Sequence, residues 1–291
     1  MGNMPCAVAI DMGGTNIKYG VVSEDLSLLC SGAVPADSGR DAETLLCSLA
    51  EIVKLKKNYI EQQGNIFCGV AVSTPGPFDY KAGKSGMKGK YDSIYGIDLR
   101  KEIRERASLK DETEILFMQD AAAFLLGEYV AGNAKGENNC SCVTLGTGAG
   151  YACMQNGEIL LNDKGGPYYV FAFQKYKDEL IENLVSGRAI KKRFGVDGKT
   201  LFEKALAGDE YAKSAFYDIG KTVGEGLCEI PETAKIDKLI IGGQVAFSFP
   251  FLEKGIKDGL GDFGNRIKAE MAKYPADAAL FGVAYKLFEG D

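Results

Sequence analysis

The sequence predicts an α/β fold of two related lobes with a cleft between them. Three observations predict it. A β-meander with a glycine turn occurs twice, near 5–33 and 140–161, and helices follow each copy. Three glycine-rich stations lie in strand context: Asp11-Met-Gly-Gly-Thr-Asn-Ile-Lys18, Leu145-Gly-Thr-Gly-Ala-Gly150 and Leu239-Ile-Ile-Gly-Gly243. At 291 residues the chain is long enough for two domains. No low-complexity linker separates the lobes. The expected boundary is near residue 119, giving lobes 1–119 and 120–275, with the helix at about 276–291 returning to the first.

Residues 5–11 read as a buried strand, and strands near 17–22 and 28–33 follow across turns at Gly13-Gly14 and Glu24-Asp25. Leu45, Leu46, Leu49, Ile52, Val53 and Leu55 recur at helical spacing within 41–62. Residues 66–73 form another buried strand, ending in the turn Thr74-Pro-Gly-Pro-Phe-Asp79. A loop rich in Gly, Lys and Tyr spans 80–96; 98–106 reads as helix, 114–118 as strand and 121–131 as helix. The second meander runs from a strand ending at Leu145, through Tyr151-Ala-Cys-Met154, to an Asn156-Gly157 hairpin. Helices are expected at 175–193, 199–206, 209–230 and 276–288, with a strand at 237–241.

Composition narrows the chemistry. An apolar fraction of 46% and a charged fraction of 25% are those of a soluble globule, and a net charge of −6 disfavours nucleic acid or an acidic membrane as partner. No run of about 18 apolar residues is present, and Met1 to Pro5 lack the features of a signal peptide. The eight cysteines are scattered through apolar stretches without a CxxC pair, which suits buried thiols in a cytoplasmic protein. There is no histidine, so any acid–base work falls to Asp, Glu, Lys, Tyr or Cys.

In the first station, glycines between two strands let backbone N–H groups approach phosphate oxygens, and Thr15 adds a hydroxyl. Asp11 ends a buried strand, where a carboxylate holds Mg²⁺ through water. Lys18 is either a phosphate counter-charge or a solvated strand residue. Gly146, Thr147 and Gly148 precede a strand, not a helix, so a second phosphate-binding hairpin fits better than a dinucleotide fingerprint. Gly242 and Gly243 end a strand and admit an adenine or ribose closely. Gly220, Gly224 and Gly226 interrupt a helix at about 1 kcal/mol each relative to alanine, for which a ligand or tight helix packing accounts. Asp120 stands at a helix start, where it serves as an N-cap or, with no histidine available, as the base for a substrate hydroxyl. Arg188, Lys191, Lys192 and Arg193 read as a solvated helix face.

As an ordered set these residues resemble the ROK family of sugar kinases, of the actin, Hsp70 and hexokinase fold superfamily. Asp11 to Lys18 is similar to its first phosphate motif, and Gly69-Val-Ala-Val-Ser-Thr-Pro-Gly-Pro77 to its sugar-side loop. Gln119-Asp-Ala-Ala-Ala-Phe-Leu-Leu-Gly-Glu128 is similar to the catalytic segment, and Leu145 to Gly150 to the second phosphate motif. Ser186-Gly187, Ala207-Gly-Asp209, Leu239 to Gly243 and Ala278-Ala-Leu-Phe-Gly-Val-Ala284 continue the match over nearly the whole chain. The chain departs from the family at Gln119, where Asn is usual, and over 162–185, where the family's sugar-binding Glu and His and its zinc cysteines are missing.

The resemblance implies two ribonuclease-H-like, actin-like ATPase lobes and an ATP- and Mg²⁺-dependent kinase acting on a hexose or hexosamine, glucokinase-like in type. It implies Asp120 as base, Asp11 on the metal, and Gly13, Gly14, Thr15, Lys18, Gly146, Thr147, Gly148, Gly242 and Gly243 around the nucleotide. Ser73, Pro75, Gly76, Gln119, Asp120 and Asp163 are expected on the sugar side, with Tyr168, Tyr169 and Gln174 as further replacements for the missing Glu and His. No zinc site is expected. The partner is a small-molecule sugar, the location cytoplasmic, and a homodimer is the assembly left to test. The alternative is a non-catalytic nucleotide or sugar sensor of the same fold.

Overall fold

Pro5 to Met12 carry an almost unbroken apolar run, and the strand they form, β1, is buried nearly throughout. The computed structural model describes residues 3–37 and 39–290. The chain divides into two compact units. One is Met1–Val130, Leu161–Gly166 and Asp277–Asp291; the other is Ala131–Leu160 and Pro167–Ala276.

In the first unit β1 is followed by β2 (Asn16–Ser23), β3 (Leu28–Pro35), α1 (Ala42–Gln62), β4 (Ile66–Thr74), β5 (Phe78–Asp79), β6 (Lys84–Ser85), α2 (Leu99–Arg106), β7 (Glu114–Gln119) and α3 (Asp120–Ala131). The sheet order is β3-β2-β1-β4-β7. β2 and β3 are antiparallel neighbours, while β4 and β7 run parallel to β1. The Asp41 carboxylate caps α1 by accepting from the Thr44 N–H. Leu45, Leu46, Leu49, Ile52 and Val53 join one core cluster with Val8, Ile10, Val70 and Val72. Leu55, expected on that apolar face, is exposed.

The second unit repeats the plan. β8 (Cys140–Leu145), β9 (Ala149–Gln155) and β10 (Glu158–Ile159) form the meander. A small hairpin of β11 (Lys175–Tyr176) and β12 (Glu179–Leu180) leads to α4 (Glu182–Val185), α5 (Gly187–Phe194), α6 (Gly198–Leu206) and α7 (Glu210–Cys228). β13 (Lys238–Gly242), α8 (Phe249–Gly259) and β14 (Lys268–Met271) complete it. The order β10-β9-β8-β13-β14 has the strand directions of the first sheet.

Two expectations are corrected here. The stretch 175–193, expected as one helix, holds the β11–β12 hairpin and two short helices, separated at Ser186, whose hydroxyl accepts from the Ala189 N–H. The boundary expected near 119 falls a helix later, because α3 packs within the first unit. α3 meets α9 (Ala278–Glu289), which also packs on β1, β2, β4 and β7. A Cβ on Gly127 would stand 1.8 Å from the Ala278 carbonyl oxygen, and one on Gly282 1.9 Å from that of Ala123. Small residues let the two helices touch backbone to backbone. Asp291, the last residue of the expected returning segment, lies outside the described residues.

Candidate active site

Three parallel strands of the first unit end side by side, and their carboxyl ends hold the acids. Asp11 on β1 pairs with Ser73 on β4, and Thr74 pairs with Gln119 on β7, with Asp120 next in the chain. This edge is where open α/β sheets bind ligands. The Ser73 hydroxyl donates to Asp11 Oδ1 at 2.8 Å. Burial raises the pKa of Asp11, against the hydrogen bond from Ser73 and the charge of Lys18, its register partner on β2.

Asp120 is not the N-cap. Gln119 Oε1 accepts from the Ala122 N–H at 2.7 Å and so fills that role. Gln119 Nε2 donates to Asp120 Oδ1 at 2.5 Å, and the Ala121 N–H donates to the same oxygen at 2.9 Å. Gln119 itself is 6% exposed, with both ends of its amide engaged. Burial, and then the charge of Asp11, lift the Asp120 carboxyl to about 6, against the Ala121 N–H and the charge of Lys90.

The first glycine turn is held from within and from outside. The Gly13 N–H donates to the carbonyl oxygens of Asp11 and Asn16 at 3.1 Å. The Tyr91 hydroxyl donates to the Gly13 carbonyl oxygen at 2.7 Å. Gly14 and Thr15 are exposed at the tip. Pro75 is buried and Gly76 exposed in the turn after β4, where the Tyr80 hydroxyl donates to the Thr74 carbonyl oxygen at 3.2 Å. Asp163 stands exposed in a tight turn whose Asn162 Oδ1 accepts from the Lys164 and Gly166 N–H groups.

In the second unit the turn at Gly146, Thr147 and Gly148 closes on itself, with the Gly146 N–H donating to the Gly148 carbonyl oxygen at 3.0 Å. Three residues outside the glycine motif brace it. The Gly187 N–H donates to the Gly146 carbonyl oxygen at 2.7 Å. Arg188 Nε donates to the Thr147 carbonyl oxygen at 2.9 Å, and Glu182 Oε2 accepts from the Ala149 N–H at 3.1 Å. Arg188 and Glu182 pair with each other at 3.0 Å. Arg188, read from sequence as part of a solvated face, is thus a brace of the turn. Gly243 has a φ of 79° and a Cβ there would lie 2.5 Å from the Leu145 carbonyl oxygen, so it seats the base of the same turn. Gly242 pairs with Thr144 beside it.

A Cβ on Gly146 would meet nothing within 4 Å. The protein's own packing gives no reason for glycine there, which fits a space kept for a phosphate. A half-buried carboxylate with one hydroxyl donor, as at Asp11, fits Mg²⁺ held through water, because that ion keeps much of its hydration. Among the described residues no group of three or more His, Cys, Asp or Glu is placed to hold a metal.

Three further sets of residues make structural contacts of their own. Gln174 Nε2 donates to the Gly226 carbonyl oxygen at 2.8 Å and its Oε1 accepts from the Tyr169 hydroxyl at 3.1 Å, so it anchors its own loop to α7. Tyr168 and Phe173 are 55% and 68% exposed, leaving Phe171 and Tyr169 to pack against Tyr151. A Cβ on Gly220 or Gly224 would stand 2.3 or 2.4 Å from α8 carbonyl oxygens, so helix packing accounts for these glycines without a nucleotide. Lys90 and Tyr91 in the first unit, and Glu182 and Arg188 in the second, were not singled out from sequence as site residues.

Known proteins carry the same plan. The ROK family model matches residues 7–166. A glucokinase of Streptomyces coelicolor is 24% identical, over 82% of this chain and 82% of its own length. A beta-glucoside kinase of Listeria monocytogenes is 24% identical over 97% of both. The crystal structure of a ROK family glucokinase from Streptomyces griseus, in complex with glucose and AMPPNP, superposes with a TM-score of 0.83 at 21% identity, covering 98% of this chain and 100% of that one. With the family model spanning more than half its length, this chain belongs to the ROK family.

Proposed function

We propose that the chain is an ATP- and Mg²⁺-dependent sugar kinase, glucokinase-like in type, that phosphorylates a hydroxyl of a hexose or hexosamine. The observation that carries the reading is Asp120: a half-buried carboxyl lifted to about 6, within reach of the Asp11 charge, and not used as a helix cap. A general base works best with a pKa near the operating pH. The names of the relatives support the substrate class.

In this reading the acceptor oxygen attacks the γ-phosphorus and forms the new O–P bond. The bond to the bridging oxygen breaks, its electron pair leaving on ADP, and the hydroxyl proton passes to Asp120. Mg²⁺, when bound, neutralises charge on the phosphate oxygens. Asp11 orients that ion's water, and Ser73 orients Asp11. Gly13, Gly14, Thr15 and Lys18 take one side of the triphosphate, Gly146, Thr147 and Gly148 another, and Gly242 and Gly243 the adenosine side. Ser73, Pro75, Gly76, Gln119 and Asp163 belong to the sugar side, with Gln119 acting through its hold on Asp120. Positioning and charge neutralisation supply most of the rate. Eight cysteines scattered through apolar stretches, with no CxxC pair, support a cytoplasmic location, and a homodimer is the assembly to check by light scattering.

An ADP-release assay across a panel of hexoses and hexosamines tests the reading. ADP release that depends on one of these sugars is expected; binding of nucleotide and sugar without ADP release would return the chain to the sensor alternative.

A further inference from the structure

The stretch from β5 to α2 holds Lys81, Lys84, Lys88 and Lys90, of which only Lys90 is half-buried; the other three are exposed. Lys88 rests over the Tyr95 ring. Lys90 makes no ion pair among the described residues, although its charge reaches Asp120. Its backbone is held unusually. Gly89 has a φ of 83° and Tyr91 a φ of 54°, so left-handed residues bracket it on both sides. Asp92 Oδ1 accepts from the Gly89 N–H. Left-handed geometry is costly for a non-glycine residue and lasts only where the surroundings impose it. Here they do: the Tyr91 side chain is fully buried and its hydroxyl is fixed to the Gly13 carbonyl oxygen. The turn that carries Lys90 is therefore tied to the first glycine hairpin.

We propose that Lys90 is a further catalytic residue, whose ammonium contacts the phosphoryl group as it crosses from ATP to the acceptor held by Asp120. The proposal rests on the kinase reading. Two carboxylates already share this strand edge, and the phosphoryl group brings more negative charge between them. Lys18 faces Asp11 from β2; Lys90 is the corresponding cation for Asp120. A half-buried lysine that forms no salt bridge among the described residues, on a turn fastened to the first glycine hairpin, is available to a ligand's charge. The titratable groups that face Asp120 are Asp11 from β1, Tyr80 from the turn after β5, and Lys90.

The test uses Lys90→Met and Lys90→Arg in the full chain, with Lys88→Met as control and the sugar that the parent phosphorylates. Lys90→Met is expected to lower kcat about 100-fold at saturating ATP and sugar, and to move the acid limb of the pH profile upward. Lys90→Arg should recover at least about tenfold of that, and Lys88→Met should stay within about twofold of the parent. A kcat within about threefold of the parent, or a loss confined to KM for the sugar, would overturn the assignment. A second measurement needs no turnover. Lys90→Met should weaken the Mg·ADP complex with aluminium fluoride, a mimic of the phosphoryl in transit, about tenfold or more while leaving Mg·ADP affinity unchanged. Equal aluminium fluoride affinity in parent and variant sinks the proposal. A parent that turns over no sugar yet passes this comparison fails the kinase reading, and with it the catalytic role of Lys90, leaving only its contact with the phosphoryl mimic.

Discussion

The division of labour between Gln119 and Asp120 decides how each will respond to mutation. Because Gln119 caps α3, Asp120→Asn should melt within about 0.5 kcal/mol of the parent and still bind ATP. Its kcat should fall about 10²- to 10⁴-fold, since an amide cannot take the proton; a variant turning over at near parental rate removes Asp120 from the base role. The pH dependence has a definite sign. A base lifted from 3.8 to about 6 must be deprotonated to work, so kcat should fall as pH drops below about 6. The linked stability runs the other way: what the neutral carboxyl contributes is full below 3.8 and lost as pH rises through about 6. A profile that stays flat from pH 5 to 8 contradicts this. Asp11 and Asp120 stood out in sequence as acids at a strand end and a helix start, and Ser73 only through the resemblance of its loop. Tyr91, Glu182 and Arg188 were not, because their partners lie 78, 33 and 41 residues away and nothing local marks the pairing.

Glycines at the scale of the element separate packing from binding. α7 and α8 interlock through four of them: Gly220 and Gly224 on one helix, Gly255 and Gly259 on the other, each with a neighbouring carbonyl oxygen within 2.1–2.4 Å of a built Cβ. Gly224→Val should destabilise by more than the usual 1–3 kcal/mol of overpacking, because backbone, not a flexible side chain, stands in the way. Gly146→Ala should do the reverse: leave the melting curve in place and weaken ATP binding about tenfold or more. Calorimetry with unchanged ATP affinity in Gly146→Ala would mean that the open space there is not a phosphate's. The elements missed in sequence have a physical reason. β14 reads Lys-Ala-Glu-Met, with no apolar run, because it is an edge strand only partly covered. The β11–β12 hairpin, with strands of two residues each, is too short for any period to show.

Over the whole molecule, the repeated meander was visible in the paired glycine turns, while β14, which completes the second sheet, was not. Zinc enters at this scale as well. Lacking histidine, and with no cysteine between Cys153 and Cys228, the purified protein should carry no stoichiometric zinc and keep its activity in a zinc chelator once excess Mg²⁺ is supplied. Metal analysis finding one zinc per chain would refute that. The return of α9 to the first unit sets an order of events during synthesis. Gly20, Ala7 and Ala9 belong to strands that α9 packs on, and a Cβ on Gly20 would lie 3.6 Å from Leu280. Until residues 278–289 have left the ribosome, that sheet has α1 but lacks α9 to complete its cover. A nascent chain stalled before residue 278 would carry the second unit complete and the first unit, though made earlier, still unfinished and open to chaperones.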